Sequence, residues 1–155
     1  MHRRTVLGLS TLVFVPPAFA HHGWSSFDQD RPIYLEGKVV KVSWRNPHAE
    51  LEIEVAPDLK LPADLAKRAV PAQSAAVDAH KLLAGAVLPT RRDKVWEIEL
   101  APLTRMEAWK VAEPGVGETV SVLGFTLVGE KGDAVVRAEY LFAGGKAYGL
   151  RSSPV

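Results

Sequence analysis

The sequence predicts a mainly β fold, a small five- to six-stranded OB-like barrel with one helix between its third and fourth strands and a helical insertion between its second and third. Three observations carry this. Residues 49–55 and 95–100 alternate apolar and polar side chains without fault, as half-buried strands do. The order of elements is strand, strand, strand, helix, strand, strand, which is that of the OB barrel. A glycine, Gly37, precedes a break in alternation at Val39-Val40, the mark of a bulge that coils a long strand. A different small β-barrel, or an open sheet packed by the insertion, is the competing architecture.

Residues 1–20 have the three parts of a secretory signal peptide. Arg3-Arg4 is a basic start, residues 6–15 are an apolar run, and Ala18 and Ala20 form an Ala-x-Ala cleavage pattern. The apolar run is too short to span a bilayer. Arg3-Arg4-Thr5-Val6-Leu7 also fits a twin-arginine signal, although paired arginines occur in ordinary Sec signals too, and Sec is the preferred route. An uncleaved anchor is the third option, and Pro16-Pro17 ahead of the small residues favours cleavage. The expected location is periplasmic or secreted, with no stable membrane span after cleavage, because no second apolar run is long enough.

A cut after Ala20 leaves residues 21–155 as a single domain, long enough for a real core. The chain has no cysteine, which excludes disulfides, thiolate metal sites and cysteine nucleophiles. Taking Arg3 and Arg4 from the 19 basic residues leaves 17 against 18 acidic ones, so nothing in the charge favours nucleic acid or another polyanion.

The mature chain begins with a polar stretch, 21–32, whose isolated rings Trp24 and Phe27 are expected to dock onto the barrel. The first strand runs over 33–44. Arg45-Asn46-Pro47-His48 is a turn, since proline removes a donor and asparagine tolerates unusual backbone angles. The second strand, 49–55, points Leu51, Ile53 and Val55 inward and three glutamates outward. The third, 95–100, does the same with Trp96, Ile98 and Leu100 against Glu97 and Glu99. Between them an insertion at about 57–94 carries two helix-compatible pieces, 63–70 and 73–84, divided by Pro71, with Gly85 as a stop. These pieces predict a two-helix lobe; a long mobile loop is the alternative.

Residues 103–112 read as a helix with Thr104 and Glu107 spaced as a capping box and Pro114-Gly115 as its stop. Two strands follow, 118–127 and 134–142, joined by a turn at 129–133. On the second of them Ala134, Val136, Ala138, Tyr140 and Phe142 should share one face. Gly144-Gly145 introduces a short last segment, 146–150, and a tail, 151–155, expected to be loose.

The chain resembles an uncharacterised family of small exported bacterial proteins, a domain of unknown function. The resemblance rests on His21-His22 followed by Phe27-Asp28, on Leu35, Gly37, Val39, Val42 and Trp44 in the first strand, and on Asn46-Pro47-His48 in the first turn. It is good over residues 20–55 and weaker from 96 to 150. It implies an exported single domain and brings no activity with it. The insertion departs from the pattern, since typical members have a short turn there.

The chemistry-bearing candidates cluster at the start. A cut after Ala20 frees an α-amine beside the His21 imidazole, and this pair with one more imidazole makes a three-nitrogen set suited to copper. His48, on the proline turn, is the expected partner; His22 can replace either, and Asp28 is a candidate oxygen ligand or acceptor behind the ligands. Against this stands the plain reading that His21 and His22 are a polar chain end and His48 only bonds its own turn. His80 is expected to be a helix residue with no ligand role. Trp24, Trp44 and Asn46 are candidates for lining a cleft near the histidines, while Trp96 and Trp109 suit the core. Glu50, Glu52, Glu54, Glu97 and Glu99 form an acidic face that repels phosphates, balanced by Lys38 and Lys41, and reads as a solvated surface. No nucleophile elbow, phosphate loop, dinucleotide fingerprint or zinc-protease motif is present. The expected function is a periplasmic binding or accessory module rather than an enzyme, with copper as the candidate cofactor. The alternative is a metal-free envelope domain that binds a small ligand or a partner protein.

Overall fold

A computed structural model describes residues 23–155; the expected signal peptide, His21 and His22 lie outside the described residues. The described residues form six strands: β1 (Ile33–Ser43), β2 (Glu50–Val55), β3 (Val95–Glu99), β4 (Thr119–Thr126), β5 (Val135–Ala143) and β6 (Lys146–Gly149). The helices are α1 (Ala79–Ala84) and α2 (Leu103–Ala108). The first half of β1 pairs with β4 and its second half with β2. β2 continues to β3, and β3 pairs in parallel with β5, which closes a five-stranded mixed barrel. β6 is an extra strand on the edge of β5. The predicted OB-like order is the one observed.

β1 serves two partners because it coils. Its register with β2 steps from Val39 opposite Ile53 to Lys41 opposite Glu52, so Val40 is the extra residue of a bulge and is turned to solvent. Gly37 lies close beneath β2: a Cβ there would stand 2.5 Å from the Glu54 carbonyl oxygen. The barrel interior is filled by the alternating residues of the faultless strands, Leu51, Ile53, Trp96 and Ile98 among them, with Met106 of α2 closing one end. Each such aliphatic side chain contributes about 1.5–3 kcal/mol on burial.

β5 departs from the single face expected of it. Opposite β4 the register steps from Gly124–Ala138 to Leu123–Tyr140, so Glu139 is the additional residue. Val136, Ala138 and Leu141 therefore enter the barrel, while Tyr140 joins Tyr34 and Leu123 in a second cluster under the insertion. Alternation read from sequence cannot detect the phase change, because both faces of this strand are covered in the fold, the charged one with Arg137 and Glu139 included.

The insertion is less helical than predicted. Residues 63–70 give one 3-10 turn, Leu65–Lys67, and 73–84 give only α1, started by Asp78, whose Oδ1 accepts from the Lys81 N–H at 2.9 Å. Gly85 ends α1 as expected, and His80 is exposed. Ahead of α1 the backbone is claimed by other partners: Gln73 is buried, its Nε2 donates to Glu139 at 2.9 Å, and it bridges to Pro154. That bridge also orders the tail expected to be loose, where the Ser152 N–H donates to Gln73 Oε1 at 3.0 Å. α2 begins after Pro102 with no side-chain cap, so Thr104 is not the N-cap, and Lys110 at φ 53° ends it early.

The return of the insertion is clamped by Glu130. Its carboxylate accepts from the Thr90 and Arg91 N–H groups, the Thr90 hydroxyl and the Arg31 guanidinium. Burial opposes ionisation, yet these bonds prevail and hold the carboxyl at about 2, below its ordinary 4.5. The folded state is thus favoured above pH 4.5, and that advantage disappears as pH falls from 4.5 to 2. It amounts to about 3 kcal/mol. Urea unfolding of wild type and Glu130→Gln should show a stability gap of that order at pH 7 that closes towards pH 2. A gap independent of pH would contradict the clamp.

Candidate functional site

The β1–β2 turn sits at one end of the barrel and is fixed from below. The Ala49 N–H donates to the Ala101 carbonyl at 2.9 Å, the Leu100 N–H returns a bond of 2.9 Å to Ala49, and the Leu103 N–H reaches Asn46 Oδ1 at 3.4 Å. The Asn46–Pro47 peptide is cis. With Ala49 and Leu51 turned inward, the alternation sends His48, Glu50 and Glu52 to the outer face. There they line a cleft of about 500 Å³ together with Lys41, Arg45, Asn46 and Glu97. His48 is half-buried, with its Nδ1 enclosed.

The cleft carries three carboxylates against two cations. Lys41 bonds Glu52, as the predicted cross-strand pairing requires; at the far end of β2, Lys94 rather than Lys38 lies 3.3 Å from Glu54. Neighbouring strands shield Glu97 from part of its water, and that loss, followed by the charges of Glu50 and Glu52, pushes its carboxyl above the ordinary range. A cation entering here meets a surface that already holds excess negative charge.

Glu99 breaks the pattern of a solvated acidic face. It is 5% exposed and lies 3.1 Å from Arg137, its register partner on β5. Trp24 lies against the pair, with its ring centre 4.6 Å from the guanidinium of Arg137 and 4.1 Å from that of Arg151, and edge-on to Phe125 at 6.3 Å. Arg151 in turn donates to the fully buried Glu139 at 2.7 Å. Phe27 is buried beside Phe125, and the Asp28 N–H donates to the Thr126 carbonyl at 2.9 Å. The N-terminal arm is therefore bound along the outer face of β4 and β5.

The predicted site residues divide accordingly. His48 and Asn46 meet in the cleft. Trp24 packs against Arg137 and Arg151, Trp44 packs against the barrel core, and Asp28 belongs to the arm's attachment at the end of β4. Among the described residues, no three His, Asp or Glu side chains are grouped to hold a metal ion, and no helix is long and apolar enough to cross a membrane. Arg137, Arg151, Glu139 and Gln73 escaped the sequence reading. The one signal was charge at Arg137 and Glu139 within an otherwise apolar strand, which reads as exposure until the arm is seen to cover it.

A profile described as a family of unknown function (DUF6152) matches residues 11–62, about a third of the chain. No curated protein and no solved structure matches. The matched span covers the arm, β1, the turn and β2, which supply the lining of the cleft except for Glu97.

Two substitutions test the arm's seat. Glu99→Ala removes the carboxylate facing a buried guanidinium and should cost about 3 kcal/mol in urea unfolding. Trp24→Leu, which keeps apolar bulk and loses the stacking, should cost about 1 kcal/mol. A Glu99→Ala protein as stable as wild type would show that the pair is not what anchors this face.

Proposed function

We propose that this protein is an exported binding module of the bacterial envelope that holds copper between its mature N-terminus and the β1–β2 turn. The α-amine and imidazole of His21 and the imidazole of His48 are the assigned ligands, with His22 as the replacement. The observation that supports the reading most is the seat of the arm. Trp24 is held over Arg137 on β5, and β3 alone lies between β5 and β2, so about 10 Å of sheet separates the arm from the strand that begins beside His48. Two residues of extended chain from Gly23 to His21 reach about 7 Å, and the side chains of His21 and His48 extend across the remaining ~3 Å. The excess of carboxylates around His48 favours a cation over an anion.

Asp28, whose N–H is bonded to the Thr126 carbonyl at the end of β4, is given no ligand role in this assignment. Binding rather than catalysis is the function assigned, and nucleic acid is disfavoured by the acidic cleft. Residues 1–20, with their basic start, apolar run and Ala-x-Ala end, support export and periplasmic location.

N-terminal sequencing of exported protein should return His21 as the first residue. Titration of that protein with Cu(II) should then saturate at about one ion per chain and weaken as amine and imidazole protonate below about pH 7. His48→Ala should lower the affinity at least about tenfold while leaving thermal unfolding of the metal-free protein unchanged. A mature chain beginning elsewhere, or His48→Ala binding copper as wild type does, would overturn the assignment.

A further inference from the structure

The end of the barrel opposite α2 is built differently from the turn end. No helix plugs it. Its floor is formed by Leu35, Val55 and Trp96, which face inward from β1, β2 and β3, and its walls come from the insertion where it leaves β2 and where it returns to β3. Leu59 stands on the outgoing wall and Leu88 on the returning one, both half-buried. The cleft between them is about 420 Å³, within the range of small-molecule sites, which are mostly apolar with a few polar groups that fix orientation.

The polar groups here are basic. Arg91 is committed to the fold: it bonds Asp93, donates to the carbonyls of Glu130 and Gly132 at 3.0 and 2.9 Å, and lies 5.6 Å from the centre of the Trp96 ring. The Asp93 carboxylate is thereby answered within the protein. The other two charged groups on the rim are Arg92 and Lys94, both exposed, and Lys94 meets only the largely exposed Glu54 at 3.3 Å. An apolar slot with a cationic rim is complementary to a ligand with an aliphatic body and one negative head.

We propose that this cleft is a binding site for a small amphipathic carboxylate, its chain lying between Leu59 and Leu88 above Trp96 and its carboxylate at Arg92 and Lys94. The site is independent of copper. It lies at the other end of β2 from His48, and the returning wall is supplied wholly by the insertion.

Calorimetric titration of the full mature protein with dodecanoate, kept below its micelle-forming concentration, should show saturable binding of one ligand per chain. Dodecyltrimethylammonium, with the same chain length and the opposite charge, should bind at least about tenfold more weakly. Leu88→Trp, which fills the slot, should abolish the dodecanoate isotherm. Arg92→Glu combined with Lys94→Glu, both at exposed positions that leave the core untouched, should weaken it at least about tenfold. His48→Ala should leave it unchanged. Absence of saturable binding, equal affinity for the two detergents, insensitivity to the charge reversal, or loss in His48→Ala would each overturn the proposal.

Discussion

The parallel pairing of β3 with β5 is the constraint on which the rest of this molecule depends. It converts a meander into a closed barrel, and it sets Glu99 directly opposite Arg137 on the outer face. Charges placed there need a cover and a counter-charge, since an unpaired ion out of water is costly. Trp24 and Phe27 provide the cover, which ties the start of the mature domain to the point where the sheet closes. Closure of the sheet and placement of the arm thus meet at the same residue, Arg137.

The insertion is held by polar anchors at both ends rather than by its own helices. Gln73 links it to Glu139 and the C-terminal tail, and Glu130 grips the segment that returns to β3. Each anchor ends on an enclosed carboxylate with more than one donor, Glu139 in the first and Glu130 in the second, an arrangement that is rigid when every bond is made. The lobe also covers Tyr34, Leu123 and Tyr140, so the outer face of β1, β4 and β5 becomes a second core. The barrel consequently presents two unlike ends, an acidic cleft around His48 and an apolar slot with a basic rim around Leu88. β2 runs between them, its first residues at one cleft and its last at the other.

Much of the architecture was legible in the chain. Faultless alternation over β2 and β3 placed Leu51, Ile53, Trp96 and Ile98 inside, and Gly37 beside Val39-Val40 announced the bulge. What failed has a common physical cause. The helical spacing at 73–84 was real, but Gln73 finds better partners in Glu139 and Ser152 than a helix offers. The single face expected of β5 was lost to a bulge at Glu139, which a strand covered on both faces does not advertise. In the candidate site, His48 and Asn46 lie together in the cleft as their turn suggested, whereas Trp24 and Trp44 are occupied elsewhere.

By itself the sequence determined the order of the elements, the inward residues of β2 and β3 and the outward turn that carries His48, because these follow from local periodicity and backbone chemistry. Only the tertiary structure decided which charges are buried. Glu99 is a solvated acid in any reading of β3 alone and becomes half of an enclosed ion pair once β5 and the arm arrive. Burial of a charge depends on what the rest of the chain lays over it, and that information lies some forty residues away in β5 and some seventy away in Trp24.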